Sequence, residues 1–397
     1  MSGRINLGVT MKYREVLSLF VCVVFGTDVL IGTAQADIKL SESTSFYGDV
    51  RAGLFTRDRD RRDGTDINSE DFRTRIRGGF KFAIDKNWSA AVRAAGRYSG
   101  DSNKNDNHSE LFSSIPGSDG LRFGDSTLDA LYVHYKQDNW GVQIGRFQYK
   151  KELEGVARKA LNYGNSVGVD ITWTDGIRAH LKTGGGWNWD AIVHHAQGGG
   201  PTMIRRPPIA FTEDDSHWEY YVGVVKTDKK GLWLQRGLDF TYIPDALRTD
   251  GTATGKIDDV AVVTGRLAMQ WPIGSGDTKF IWANGFGYAF DTPKETVVKT
   301  GASGDSDGTA FQTSVNLTDL WPGHSFGLVY VRAGGGYLMS PDIPNNARFI
   351  EGRWAWKFAK DQKFEIRYRV REDLKKQVGA LDRREDTDMF FRWTMKL

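Results

Sequence analysis

From residue 43 onward the chain is written in short runs of alternating apolar and polar residues, parted by gaps that are long and short in turn. The clearest run is 72–84. Phe72, Thr74, Ile76, Gly78, Phe80, Phe82 and Ile84 share one parity, and Arg73, Arg75, Arg77, Gly79 and Lys81 share the other. A helix turns every 3.6 residues and would scatter both sets, whereas a strand puts each set on one face. This run is therefore a strand with an apolar side and a basic side. Residues 364–371 obey the same rule, with Phe364, Ile366, Tyr368 and Val370 against Glu365, Arg367, Arg369 and Arg371. The last run sets Met389, Phe391, Trp393, Met395 and Leu397 against Asp388, Phe390, Arg392, Thr394 and Lys396. Runs 125–136 and 325–338 read as strands whose faces the pattern leaves unassigned.

The gaps carry the architecture. Long polar ones fall at 56–71, 101–124, 147–165, 197–216, 244–257, 291–308, 339–346 and 373–386. Tight ones fall near 85–87, 137–139, 183–186, 228–231, 272–277, 322–324 and 359–362. Eight long connections interleaved with seven short ones predict sixteen strands, with both chain termini on the short-turn side. A soluble sandwich has no reason to sort its loops by length. An outer-membrane barrel does, because its periplasmic turns are short and its extracellular loops long. The expected fold is all-β, a transmembrane antiparallel barrel of about 16 strands, with about 18 as the alternative. All ten prolines (116, 201, 207, 208, 244, 272, 293, 322, 341, 344) fall in gaps, as a closed ladder demands of a residue without an N–H. Trp88, Trp140, Trp187, Trp271, Trp321 and Trp356 lie beside the short turns, where an aromatic girdle would meet the periplasmic interface.

The first stretch is not fold. Lys12 and Arg14 form a positive segment, Val16 to Phe25 an apolar one, and Ala34-Gln35-Ala36 a small-residue cleavage site. Residues 1–36 are thus expected to be a cleaved signal peptide, leaving 37–397 as one barrel domain. The apolar run is too short to span a bilayer, and Asp28 interrupts its continuation. The single cysteine, Cys22, lies in the segment removed, so no disulfide is expected. With 53 bases and 50 acids, the chain has no bulk charge that argues for nucleic acid. Only 40% of its residues are hydrophobic, yet it can span a membrane as a barrel, where every second residue faces lipid.

If the apolar rows face lipid, the polar rows face a channel. Arg51, Arg73, Arg75, Arg77, Arg93 and Arg97 come from the first three strands. Arg353, Arg367, Arg369, Arg371 and Arg392 come from the last three. Closure pairs the last strand with the first, so these arginines are expected on one contiguous wall, with Asp49, Glu351, Glu365 and Asp388 as the fewer acids among them. Such a wall either stiffens a polar interior as a salt-bridge network or acts as an electrostatic filter for anionic solutes. The third long gap holds more apolar residues than most. It is expected to fold inward and is long enough to hold a short helix, with Glu152 and Glu154 towards the wall and Lys150, Lys151, Arg158 and Lys159 on the other rim.

With these features, the chain resembles Gram-negative outer-membrane porins over its whole mature length. The resemblance implies passive diffusion through a water-filled pore, with arginines opposite acids of the third loop and frequent assembly as homotrimers. Outer-membrane lipid, lipopolysaccharide and small hydrophilic, anionic solutes are then the implied partners. The chain departs from the pattern by ending in Met395-Lys396-Leu397 rather than in Phe, and it lacks a Pro-Glu-Phe-Gly-Gly loop motif. The segments Phe72-Arg73-Thr74-Arg75-Ile76-Arg77 and Gly145-Arg146-Phe147-Gln148 are similar to those of alginate-export barrels. That likeness implies a strongly basic lumen, to which Arg146 would contribute, and an acidic sugar or oligosaccharide as solute.

Other chemistries find no support. His194 and His195 are adjacent in a strand, so they point to opposite faces and cannot share a metal. The acidic runs at 58–66 and 305–308 lack the closing glutamate of a calcium loop. Gly184-Gly185-Gly186 is followed by no Lys-Ser or Lys-Thr and fits a tight turn rather than a phosphate loop. No convincing Ser-His-acid pairing marks a barrel hydrolase. A secreted glycan-binding β-protein would have similar loops at both ends. No enzyme activity, cofactor or metal is expected.

Overall fold

In the computed structural model, residues 37–99, 122–162, 171–196, 217–252, 255, 257–340 and 342–397 are described. The expected signal peptide, most of 101–124 and all of 197–216 lie outside them.

A short β1 (Ile38–Lys39) precedes sixteen long strands. These are β2 (Thr44–Asp60), β3 (Asp66–Ala83), β4 (Trp88–Ser99), β5 (Arg122–Lys136), β6 (Trp140–Phe147), β7 (Thr174–Thr183), β8 (Trp187–Ala196) and β9 (His217–Thr227). They continue as β10 (Gln235–Arg248), β11 (Ile257–Pro272), β12 (Lys279–Ala289), β13 (Thr309–Trp321), β14 (His324–Ala333), β15 (Ala347–Trp356), β16 (Gln362–Asp373) and β17 (Glu385–Lys396). Every strand from β2 to β17 pairs antiparallel with its chain neighbours, and β17 pairs with β2, with Arg392 opposite Gly53 and Thr394 opposite Arg51. The sheet is therefore a closed barrel of sixteen strands. Closure leaves no open edge, which is what lets a polar backbone cross a bilayer.

Parity decides which side of the wall each residue meets. On β3, Ile76 and Phe80 are exposed on the outer face, while Arg75 and Arg77 are buried inside. On β12, Trp282, Phe286 and Tyr288 face out, and Ile281, Ala283 and Ala289 face in. Exposed apolar side chains cover the outside because lipid is their solvent. Near the short turns they become aromatic. Trp88 meets Tyr135 at 4.9 Å and Tyr135 meets Trp140 at 5.3 Å between ring centroids. Farther round, His324 is stacked 5.2 Å from Trp356 and 5.5 Å from Trp354.

Three boundaries differ from expectation. The gap drawn at 56–71 is mostly strand. β2 and β3 run on as a ladder, with Arg57 opposite Ser69 and Arg59 opposite Ile67, and turn over 61–65. At 17 and 18 residues they exceed the roughly 9–11 that a bilayer needs. Their outer parts stand in water on both faces, so alternation fades although the ladder does not. The connection after β9 spans 228–234 rather than four residues. Pro244 lies within β10, where pairing jumps from Ile243–Val260 to Leu247–Asp258. Such an irregularity is where a ladder tolerates the missing N–H.

Candidate functional site

Two external connections fold into the barrel and pack against one wall. The first follows β6 and contains 148–162; it forms no helix there, but crosses the lumen in bends. Leu153 is buried with Leu234, Ala268, Ile281 and Ala283 of the far wall. The Glu154 amide donates to the Gln235 side chain at 3.0 Å, and the Val156 amide donates to Asn316 at 2.8 Å. Gly327 makes room for this crossing, since a Cβ there would fall 2.8 Å from Val156. The second connection, 334–346, lies over the end of the first. The Tyr337 hydroxyl donates to the Leu161 carbonyl at 2.7 Å, and Ser340 to the Ala160 carbonyl at 2.7 Å. Ala157, Leu161, Tyr337, Leu338 and Ile343 thereby form one buried cluster with Val260, Val262, Val329 and Val331 of the wall.

The opposite wall is basic. The structure brings together across the β17–β2 closure the two arginine groups read from the sequence. Arg51, Arg75 and Arg97 are in register on successive strands β2, β3 and β4. Arg353 and Arg367 are partners on β15 and β16. Their carboxylates are shared. Asp49 takes Arg75 at 2.9 Å and also Arg77. Asp129 takes Arg93 at 2.8 Å and Arg77 at 3.3 Å. Asp388 takes Arg369 at 2.7 Å and also Arg367. Glu365 takes Arg392 at 2.7 Å, Lys363 at 3.0 Å and Arg353 at 3.6 Å. Asp386 takes Arg384 at 2.6 Å, Arg59 at 2.9 Å and Arg371. Arg73 is held by Asp71 and lies over the Phe55 ring. Phe390 is surrounded by cations, with Arg367, Arg392 and Arg353 at 4.3, 4.8 and 5.5 Å from its centroid.

The loop meets this wall through an amide and a base: Gln148 accepts from Arg77 at 2.8 Å and donates to Asp129 at 2.9 Å. Lys159, fully buried, pairs with Glu351 at 2.8 Å. Burial outweighs that partner, so its pKa falls to about 8. Glu152 pairs instead with Lys150 at 3.1 Å, and Glu154 with Arg158 at 2.9 Å, four residues on. Neither acid is paired with the wall arginines expected opposite them: both pair within the loop, and Lys159 is the loop base that pairs with a wall carboxylate. Each loop acid has a base within the same loop, and the wall already holds Glu351. Arg146 is also placed differently. It shares the outward row of Ile144 and Ile177, paired with Asp175 at 2.7 Å, because Phe147 takes the inward position.

Sequence reasoning missed Asp71, Asp129 and Asp386, together with the inward fold of 334–346. Asp129 sits in the run whose faces the pattern left unassigned. The second inward loop had a readable sign: Tyr337-Leu338-Met339 is apolar for an external connection.

No family model matches the chain, and no curated protein matches it. Solved structures do. OprB of Pseudomonas putida, determined at high pH, has 8% identity over 89% of this chain and 94% of its own, with a TM-score of 0.60. OccAB3 of Acinetobacter baumannii has 11% identity over 89% and 99%, with a TM-score of 0.53. OpdL of Pseudomonas aeruginosa has 12% identity over 89% and 99%, with a TM-score of 0.50. These are outer-membrane porins, passive channels rather than enzymes, and the chain has their fold.

Proposed function

We propose that this barrel is a passive outer-membrane channel that conducts small hydrophilic anions along its arginine wall. The observation that carries this reading is the stoichiometry of that wall. Asp49, Asp129, Glu365, Asp386 and Asp388 each serve two or three bases, so positive charge remains after every pairing. A net positive wall lowers the energy of a passing anion and raises that of a cation. The two inward loops cover the apolar β10–β14 side of the lumen, which supports a path along the basic side. At the external end the wall opens into a cavity of ≈ 210 Å³ lined by Arg62, Arg371, Arg384, Asp373 and Asp386. Outside, Arg332 and Arg348 are register partners above the apolar band, where lipopolysaccharide phosphates would meet the barrel.

A second reading takes an acidic sugar as the solute. Phe55 is only half-buried among the arginines, beside the buried Phe390 at 5.6 Å, and would offer its edge to a sugar ring whose carboxylate the guanidinium groups would hold. Reversal potentials in a potassium chloride gradient test the main reading. The wild-type barrel should prefer chloride, and changing Arg73, Arg75 and Arg77 together to glutamine should reduce or reverse the preference. Unchanged selectivity would leave the wall a structural network only. A uronate that blocks chloride current where its neutral parent sugar does not would support the second reading.

A further inference from the structure

A second charged cavity lies away from the arginine wall. The inward rows of β5, β7 and β8 meet near the short-turn end around His134, Arg178, His180, Lys182 and Asp190, lining about 180 Å³. The two imidazole rings are 5.5 Å apart between centroids. His180 is seated by the backbone of the next strand. Its register partner is Gly141, where a Cβ would fall 2.4 Å from His180 Cε1. Any larger residue there displaces the ring.

The charges facing the imidazoles are mostly positive. They are Lys136 on β5, Arg178 and Lys182 on β7, Asp190 on β8 and Lys151 from the third loop, with neutral Gln143 on β6. Asp190, the one carboxylate lining the cavity, is taken by Arg178 at 2.7 Å and Lys151 at 2.9 Å. Lys136 and Lys182 have no ion pair among the described residues. Imidazole changes charge between pH 5 and 8. Two protonated rings this close repel each other and the cations around them. A dianion in the cavity beside both rings offsets that repulsion, so anion binding and protonation promote each other.

We infer that this cavity is a second anion site, taking a divalent oxyanion between His134, His180 and Lys182 when the imidazoles are protonated. The inference rests on the channel reading, but it concerns a different wall. Sulfate is the probe, because it stays divalent over the range in which imidazole titrates. In planar bilayers, sodium sulfate should block chloride current through the wild-type barrel severalfold more strongly near pH 5.5 than near pH 8. His134→Gln combined with His180→Gln should abolish the pH dependence of the block while chloride preference persists. His180→Gln alone should weaken it, which guards against failure of the double variant to insert. A wild-type block equal at both pH values, or one that keeps its pH dependence in the variants, overturns the site alone. A wild-type barrel that never conducts overturns the channel reading, and the site with it.

Discussion

The two halves of this lumen face the same problem with opposite materials. The β15–β17 and β2–β4 side points arginines and carboxylates inward, where they are largely buried in pairs with one another. The β10–β14 half points Val260, Val262, Ala268, Ala283, Val329 and Val331 inward. In a sixteen-stranded barrel that apolar half would face open water, and leaving it wet would forgo about 25 cal/mol per Å². The two inward loops cover it. The comparison teaches that the inward loops are positioned from behind: the apolar wall binds them, and the basic wall is the side on which the proposed anion path would run. Two loop side chains reach the basic side: Gln148, which accepts from Arg77 at 2.8 Å, and Lys159, which crosses from the covered side to Glu351.

That crossing is where the comparison is most easily broken. In Lys159→Ala the buried Glu351 keeps Arg353 at 2.6 Å but loses its loop partner. Removing one member of a buried pair costs about 3–5 kcal/mol, charged here to the docked state of the loop. Single-channel conductance should rise or become noisy, and the barrel should lose its heat-resistant gel mobility at lower temperature. A wild-type conductance trace would mean that the apolar contacts alone hold the loop.

A smaller effect sharpens the other side. Tyr337→Phe keeps the ring in its cluster but deprives the buried Leu161 carbonyl of its donor. An unsatisfied buried group costs about 1–3 kcal/mol. The loops should separate more often, seen as brief conductance steps, while ion selectivity stays unchanged. A shift in selectivity would show that the loop pair shapes the basic wall after all.

The same lysine gives a pH prediction with a definite sign. Its docked pKa, about 8, lies below the ordinary 10.5. Between those values the released loop binds more protons than the docked one, so docking strengthens as pH rises from about 8 to about 10.5. Below about 8 both states are protonated and the slope vanishes. The effect is at most about 1.4 kcal/mol per pH unit. Loop-opening steps should become rarer across this window, and Lys159→Met should abolish the trend. Openings that grow more frequent with pH would mean that the lysine charge holds the loop.

The distribution of what the sequence revealed follows from where each solvent lies. Lipid reads every second residue, so Ile76, Phe80, Tyr368 and Val370 announced the strands, and loop lengths announced their number. The arginine wall was legible because closure is a property of the count. Partners within the lumen were not, because water, loops and facing strands all accept polar residues, and parity alone cannot choose among them. Asp129 and Asp386 thus went unseen, and Arg146 was placed inside when it faces out. The outer parts of β2 and β3 were lost for the same reason, being wet on both sides.

The smallest expected effect tests whether loop charges matter for themselves. Arg158 and Glu154 are four residues apart, with side-chain exposures of 51% and 26%. An exposed pair is worth about 0–1 kcal/mol, so Arg158→Ala should change neither loop docking nor thermal stability measurably. If the arginine wall alone sets selectivity, the reversal potential should also stay within error of wild type. A shift as large as that from the Arg73, Arg75 and Arg77 substitutions would move the filter from the barrel wall to the loop. The ion pairs within the loop, Lys150–Glu152 and Arg158–Glu154, would then have to be read as part of the selective element rather than as a by-product of anchoring.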